Sequence, residues 1–254
     1  MKSTTSLFLL LFLSGCGGEA PVVRGDPVER AAGERAFLEG DYAEASLRFS
    51  LAAEAGDREA AVWQGRSLMK MERWSPAERA FRDAAPLPGE PGFRARLGLG
   101  ESLLAQGRPD EAASELRALA SDPRAMEALE PAAVLFKSGV AEMRCGNWDE
   151  SARRLRQVSR GWPESPWALQ AEERARDLSD RRFSVQLGVY SLEPAADKRV
   201  AYLRSAGIAA AKVLIRRGGA DLYSVRSGAF LTYREAAAET VRLRGLGEDG
   251  VVAP

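Results

Sequence analysis

The sequence lacks histidine altogether and has only two cysteines, Cys16 and Cys145, among its 254 residues. Without histidine, the residues given cannot form a Ser-His-Asp triad, a Cys-His pair or a zinc site with histidine ligands. If Cys16 is modified, no disulfide can form within the chain. These absences disfavour an enzyme, and nothing in the sequence indicates a cofactor or a metal site.

The chain also lacks an excess of either charge and lacks a long hydrophobic run. Its 36 Lys and Arg residues balance 36 Asp and Glu residues, so no overall field draws it to nucleic acid, and we expect no nucleic-acid partner. The longest apolar stretch is LFLLLFL at residues 7–13, far short of the roughly 20 residues of a membrane span. Because 45% of the residues are nevertheless apolar, the chain is expected to fold into one or two domains.

Residues 1–15 have the features of an export signal peptide. A positive charge at Lys2 precedes the short apolar core, and the segment ends in Leu-Ser-Gly directly before Cys16. This ending resembles the bacterial lipobox, which implies cleavage before Cys16 and lipidation of its thiol. Two or three acyl chains would anchor the protein stably to a membrane without spanning it.

The residues after Cys16 carry two further expectations. Residues 16–27 comprise the lipidated cysteine and a segment rich in Gly and Pro, which predicts a flexible linker. Gly17 and Gly18 are not the Asp that marks inner-membrane retention in related lipoproteins. The resemblance therefore implies an envelope protein anchored in the outer membrane and facing the periplasm.

Residues 28–182 repeat a pattern of turns and apolar residues. Four turns align at Gly40-Asp41-Tyr42, Glu72-Arg73-Trp74, Gly107-Arg108-Pro109 and Gly146-Asn147-Trp148. Counted from the third turn residue, the aligned positions are Ala45, Ala77, Ala112 and Ser151 at three residues, Phe49, Phe81, Leu116 and Leu155 at seven, and Ala52, Ala84, Leu119 and Val158 at ten. These offsets lie on one stripe of a helix, so each unit is predicted to be helix, turn, helix.

This pattern resembles the tetratricopeptide (TPR) repeat, which implies an all-α solenoid of about four units. A solenoid offers a surface for a protein partner rather than a catalytic centre, and the sequence does not identify that partner. Trp63, Trp74 and Trp148 are interpreted as core residues, and residues 164–180 are a candidate capping helix. The Gly98-Leu99-Gly100 sequence falls inside a predicted helix, so we do not expect it to bind phosphate.

Residues 183–254 change from helical periodicity to alternation, which predicts a second domain of the α+β class. The expected strands cover residues 183–189, 208–215, 222–227 and 250–253, and the expected helices cover residues 195–206 and 232–244, in the order βαββαβ. The two halves repeat at an offset of 40 residues, as in Leu203-Arg204 and Leu243-Arg244. Such a chain forms a four-stranded antiparallel sheet with both helices on one face and the first and third strands central.

Pleating predicts which residues occupy the open face of this sheet. Val185, Leu187, Tyr223 and Val225 form the apolar phase and are expected beneath the helices, and Val189 continues the same alternation. Ser184, Gln186, Ser224 and Arg226 are therefore predicted to point outward from the two central strands.

The strand residues themselves resemble a known family. FSVQLG at residues 183–188 and YSVRSGAF at residues 223–230, each before a helix with paired alanines, are similar to the SPOR (sporulation-related repeat) domain. The resemblance implies binding to peptidoglycan, in particular to glycan strands stripped of their stem peptides where septal wall is remodelled during cell division. It assigns the glycan contact first to Gln186 and then to Arg226 and Ser224, and it implies that Val189 occupies a position where a small residue is common. Ser184 joins the predicted glycan-binding residues because it is expected on the same open face.

Three classes of function follow from these readings. The preferred one is a non-enzymatic envelope lipoprotein that binds denuded glycan through its SPOR domain and recruits an envelope protein through its solenoid. One alternative is a protein–protein scaffold whose second domain does not bind glycan. The other is a wall-degrading enzyme. Against it, the sequence has no histidine to serve as a ligand in a zinc amidase, and the repeat segment leaves no room for a separate catalytic fold.

Overall fold

The computed structural model describes residues 27–178 and 181–254. The predicted signal peptide, Cys16 and residues 17–26 of the predicted linker therefore lie outside the described residues.

The part of the chain from residue 27 to residue 178 is entirely helical. Its helices are α1 (Pro27–Glu39), α2 (Tyr42–Glu54), α3 (Ala60–Lys70), α4 (Trp74–Ala84), α5 (Gly89–Ala105), α6 (Pro109–Ala120), α7 (Pro123–Ala128), α8 (Pro131–Arg144), α9 (Trp148–Gly161) and α10 (Ala168–Asp177). Each of the four predicted turns joins two antiparallel helices, giving the pairs α1–α2, α3–α4, α5–α6 and α8–α9. The short α7 lies between the third and fourth pairs, and α10 follows the last pair.

The four turns share a left-handed backbone position. Gly40, Gly107 and Gly146 adopt φ values of 84°, 72° and 79°, which glycine tolerates because it has no Cβ. The second turn has Glu72 at the equivalent place with φ of 56°. A non-glycine residue in this conformation costs roughly 1–2 kcal/mol, so the second turn is strained relative to the other three.

The predicted apolar stripe is the core of every pair. All twelve stripe residues, from Ala45 to Val158, are at most 1% exposed. In each pair, the large stripe residue seven positions after the turn packs on a glycine 16 positions earlier. A Cβ on that glycine would lie only 2.5–3.0 Å from the nearest atom of the large side chain, which is closer than an ordinary contact. These glycine and partner pairs are Gly33 and Phe49, Gly65 and Phe81, Gly100 and Leu116, and Gly139 and Leu155. The close approach of the two helices therefore requires a glycine in the first helix and a large residue in the second. Gly100 is explained by this packing against Leu116.

A partly buried ionic network connects the second and third pairs. Glu78 of α4 accepts hydrogen bonds from Arg82 at 2.8 Å, from Gln106 at 2.8 Å and from Arg108 at 2.7 Å. Burial raises the pKa of Glu78, but these three donors outweigh that effect and hold the pKa at about 2. The carboxylate is thus charged at neutral pH and bridges the turn of the third pair to α4.

The second domain has the predicted βαββαβ order. Its elements are β1 (Phe183–Tyr190), α11 (Glu193–Ser205), β2 (Ala210–Arg217), β3 (Ala220–Phe230), α12 (Tyr233–Arg244) and β4 (Val251–Ala253). The strands form one antiparallel sheet in the order β2-β3-β1-β4, so the first and third strands are central, as predicted. Both helices pack on the same face, where Val185, Leu187 and Val225 form the core with Ala196, Val200, Leu203 and Leu243.

The two halves of the second domain, which repeat in sequence at an offset of 40 residues, also have the same local structure. The paired helix residues Ala196 and Ala236, and Leu203 and Leu243, are all fully buried. The glycines that follow the two helices, Gly207 and Gly247, adopt φ values of 76° and 82°. Each half is therefore a strand followed by a helix that ends at a left-handed glycine.

The prediction for Val189 is wrong. Gln186 pairs with Arg226, but Gly188 pairs with the adjacent Val225, so β1 contains an extra residue between them. Such a bulge reverses the alternation of the residues that follow it. Val189 consequently pairs with Ser224 on the open face and is 41% exposed, instead of lying beneath the helices.

The two domains contact each other through aromatic rings and ion pairs. The Trp148 ring of α9 lies 4.7 Å from the Phe183 ring of β1, centroid to centroid, and Phe183 also meets Tyr233 of α12 edge-on at 5.9 Å. Arg217 of β2 donates a hydrogen bond to Asp177 of α10 at 2.5 Å. Trp148 packs on the helical core, as predicted, but it also forms part of the junction between the domains.

Candidate functional site

The four polar residues singled out from the sequence lie together on the open face of the sheet. Gln186 of β1 is directly opposite Arg226 of β3, and Ser184 and Ser224 precede each of them by two positions. Because Val185 and Val225 between them are fully buried under the helices, the four polar side chains occupy the other face.

These four side chains form one hydrogen-bonded network. Ser224 Oγ donates to Gln186 Oε1 at 3.2 Å, and Arg226 Nε donates to Ser224 Oγ at 3.1 Å. Arg226 Nη1 donates to the carbonyl oxygen of Pro254 and, at 3.5 Å, to Ser184 Oγ. The network fixes the orientation of the amide and the guanidinium, so both are preorganised before any ligand arrives.

The exposure of the four residues differs from the sequence-based expectation. Ser224 is completely buried and Ser184 is 8% exposed, because their short side chains lie below the larger side chains beside them. Gln186 and Arg226 are half-buried and reach the surface. The predicted face is therefore right, but the two serines are positioned to support the amide and the guanidinium rather than to stand out from the sheet.

The amide of Gln186 has a donor directed at solvent or ligand. Its Oε1 atom accepts from Ser224, whereas its Nε2 group makes no hydrogen bond within the described residues. An amide Nε2 carries two N–H donors. Gln186 can therefore donate to a hydroxyl or carbonyl oxygen of a ligand lying on the sheet.

Apolar residues complete the open face in two rows that cross the strands. One row runs Val251, Gln186, Arg226 and Ala211 from β4 to β2, and the next runs Val189, Ser224 and Val213. The three valines are 61%, 41% and 37% exposed. The face thus presents aliphatic carbon around a polar centre, and neither row contains an aromatic ring on which a base could stack.

A cleft of about 610 Å³ adjoins Arg226 at one end of this face. Its lining includes Arg182, Arg204 and Arg226 and contains no Asp or Glu. Arg204 of α11 is held at the sheet edge, where its Nε donates to the carbonyl oxygen of Ala210 at 3.0 Å. The cleft therefore suits an anionic group, in keeping with the net charge of +3 from 10 basic and 7 acidic residues in 183–254.

Arg182 and Arg204 are not among the residues that the sequence predicts for this site. The sequence places Arg182 at the end of the helical domain and Arg204 in a helix on the far face of the sheet. Only the fold shows that the start of β1 and the end of α11 meet beside Arg226. The predicted lipidation site Cys16 lies outside the described residues.

The chain matches two family models. Residues 179–254 match the SPOR domain, and residues 94–123 match the tetratricopeptide repeat, which covers most of α5 and all of α6. No curated protein matches the chain. Within residues 27–178 and 181–254, no helix is long and apolar enough to cross a membrane.

Both families consist of non-catalytic binding domains. SPOR domains are of the peptidoglycan-binding kind and occur in bacterial envelope proteins, and TPR repeats mediate contacts between proteins. Their combination in one chain supports a binding and scaffold role at the cell envelope. The chain therefore carries a SPOR domain at residues 179–254, preceded by a helical region that contains a tetratricopeptide repeat.

Proposed function

We propose that this protein is a non-enzymatic envelope lipoprotein that attaches to glycan strands stripped of their stem peptides and recruits a protein partner through its helical region. The observation that carries the proposal is the row on the open face that contains Gln186 and Arg226, next to the cleft whose lining includes three arginines.

Denuded glycan presents the chemistry that this face can recognise. Its sugars offer hydroxyl and acetamido oxygens to the Gln186 amide, and their aliphatic faces can contact the exposed valines. Removal of the stem peptide frees the lactyl carboxylate of each muramic acid, which intact strands carry as an amide. The arginines beside the row would pair with that carboxylate, so the site would favour stripped strands over intact ones.

The expected affinity for a short glycan is modest. Each neutral hydrogen bond contributes about 1 kcal/mol net, and a charge-assisted bond from Arg226 contributes roughly 1.5–3 kcal/mol. Without aromatic stacking these contributions correspond to micromolar or weaker binding. A lipid anchor at Cys16 would compensate by holding the domain close to the wall, and it would place the protein in the outer membrane, facing the periplasm.

Sedimentation with purified sacculi tests the glycan proposal. We expect more protein to bind to sacculi treated with an amidase than to untreated sacculi, and we expect Gln186→Ala and Arg226→Ala each to reduce this binding. Gln157→Ala on α9 and Arg234→Ala on α12 are matched controls, because both residues are exposed and lie away from the open face. Circular dichroism of each variant shows whether the fold is kept.

The same experiment decides between this proposal and its alternatives. A scaffold that does not bind glycan would be indifferent to amidase treatment and to both site variants. Soluble muropeptides released above background would instead indicate an enzyme. For the anchor, Cys16→Ala should abolish acylation and release the chain from membranes, and a variant that still fractionates with membranes would contradict it.

A further inference from the structure

A groove of about 550 Å³ opens between the first helices of the second and third pairs, α3 and α5. The connection from α7 to α8 forms its other side. Apolar side chains of Met69, Leu97 and Leu129 line it, and the basic residues Arg66, Lys70 and Arg94 stand around them. The groove thus combines aliphatic surface with positive charge.

The guanidinium of Arg66 contacts aromatic rings in place of an acidic side chain. Its guanidinium lies 4.4 Å from the centroid of the Trp63 ring and 5.5 Å from that of Phe37, and it makes no hydrogen bond or ion pair within the described residues. Burial lowers the pKa of Arg66, and the nearby charge of Arg94 lowers it further. A half-buried cation of this kind gains free energy when an anion comes to pair with it.

The acidic residues around Arg66 do not supply that anion. Glu101 of α5, whose charge acts favourably on Arg66, is engaged by Lys137 at 2.9 Å. Arg94 pairs with Glu90 of its own helix. Glu130, the other carboxylate that lines the groove, is exposed. The Trp63 and Phe37 rings hold the Arg66 guanidinium in one place, so little side-chain entropy would be lost when a ligand binds it.

We propose that this groove binds an acidic segment of a partner protein, with an Asp or Glu side chain of that segment paired to Arg66. Apolar side chains beside the acidic residue would pack on Met69, Leu97 and Leu129. This inference rests on the proposed recruitment of a protein by the helical region, and it adds the chemical class of the partner and the residues that select it.

Fluorescence anisotropy with three synthetic peptides tests the inference. The probes are twelve-residue labelled peptides with the repeats Glu-Leu-Ala, Gln-Leu-Ala and Lys-Leu-Ala, titrated with the full chain at low and high salt. We expect the acidic peptide to bind about tenfold more tightly than its Gln counterpart, the ratio that one charge-assisted hydrogen bond produces. High salt should reduce this preference.

Three variants locate the binding. Arg66→Gln should weaken binding of the acidic peptide about tenfold, and Arg94→Gln, whose residue is exposed and therefore dispensable for folding, should weaken it about threefold. Arg79→Gln on α4 is the matched control, because Arg79 is exposed and does not line this groove. Thermal unfolding of each variant shows that the helices remain intact.

Several results would overturn the inference. Equal binding of the acidic and Gln peptides, no binding by any peptide, or full binding by folded Arg66→Gln and Arg94→Gln variants would each do so. Preferred binding of the Lys peptide would also refute an acidic partner, yet it would leave the proposed recruitment of a protein intact. Wall binding is measured separately on sacculi, so failure there would not be confused with failure here.

Discussion

Replacing Gly65 with alanine tests how the helices of each pair approach one another. A Cβ at position 65 would lie 2.6–2.8 Å from three atoms of the Phe81 ring, and the ring cannot retreat because Gly98 of α5 admits it equally closely from the other side. Overpacking of this kind costs about 1–3 kcal/mol, whereas alanine gains about 1 kcal/mol over glycine within a helix. We therefore expect Gly65→Ala to lower the free energy of unfolding by up to about 2 kcal/mol.

A double-mutant cycle with Phe81→Val separates this clash from other effects. Valine has none of the δ, ε and ζ atoms that the new Cβ would meet, so Gly65→Ala in the Phe81→Val background should be neutral or stabilising. The coupling measured by urea unfolding should then be about 1–3 kcal/mol. Gly161→Ala is the control, because nothing lies within 4 Å of its Cβ position at the end of α9, and it should not destabilise the protein. Zero coupling, or a Gly65→Ala variant as stable as the Gly161→Ala control, would refute the packing argument.

Three further predictions concern the helical domain. Glu72→Gly should raise the free energy of unfolding by up to about 1 kcal/mol, as measured by urea denaturation, because glycine relieves the left-handed strain of the second turn; a loss of stability would contradict this. Burial raises the pKa of Glu78, but its three hydrogen-bond donors hold it at about 2, below its usual 4.5, so its stabilising effect is complete above pH 4.5 and is lost as the pH falls toward 2. Thermal unfolding as a function of pH should therefore show that Glu78 contributes about 3 kcal/mol to stability above pH 4.5, and that this contribution disappears as the pH falls toward 2. The Glu78→Gln variant should lack this pH dependence, and identical pH profiles of the wild type and the variant would contradict the prediction. Burial raises the pKa of the Cys145 thiol to about 12, so very little reactive thiolate is present at pH 8. Thiol reagents should therefore label the urea-unfolded chain but not the folded protein at this pH, and rapid labelling of the folded protein would contradict the prediction.

The helical repeat was predictable because its packing imposes a strict pattern on the sequence. Residues where two helices cross must be small, those beside them must be large, and the turn must contain a left-handed position, so the register of all four pairs could be read from the chain. The glycines at 33, 65, 100 and 139 follow the same repeat and could have been found from their constant distance of 16 residues to the large stripe residue. The alignment from the turns covers only the second helix of each pair, so it does not reveal this spacing.

The open face of the sheet could be predicted only in part, because alternation describes a strand that has no bulge. It placed Gln186 and Arg226 correctly, since this pair lies between the two register shifts of β1 and β3, but it misplaced Val189, which follows the extra residue of β1. The cleft could not be predicted at all. Arg182 and Arg204 are 22 residues apart in the chain, and only the packing of α11 against the sheet brings them to Arg226.

Glycan binding by the open face is tested directly by a nuclear magnetic resonance titration of the isotopically labelled protein with a tetrasaccharide of alternating N-acetylglucosamine and N-acetylmuramic acid that carries no peptide. We expect saturable shifts of the backbone amides of Gln186, Val189, Val213 and Arg226, and little change at Ala196 of α11 and Ala236 of α12, on the other face of the sheet. Shifts confined to the helices, or none at millimolar sugar, would contradict it.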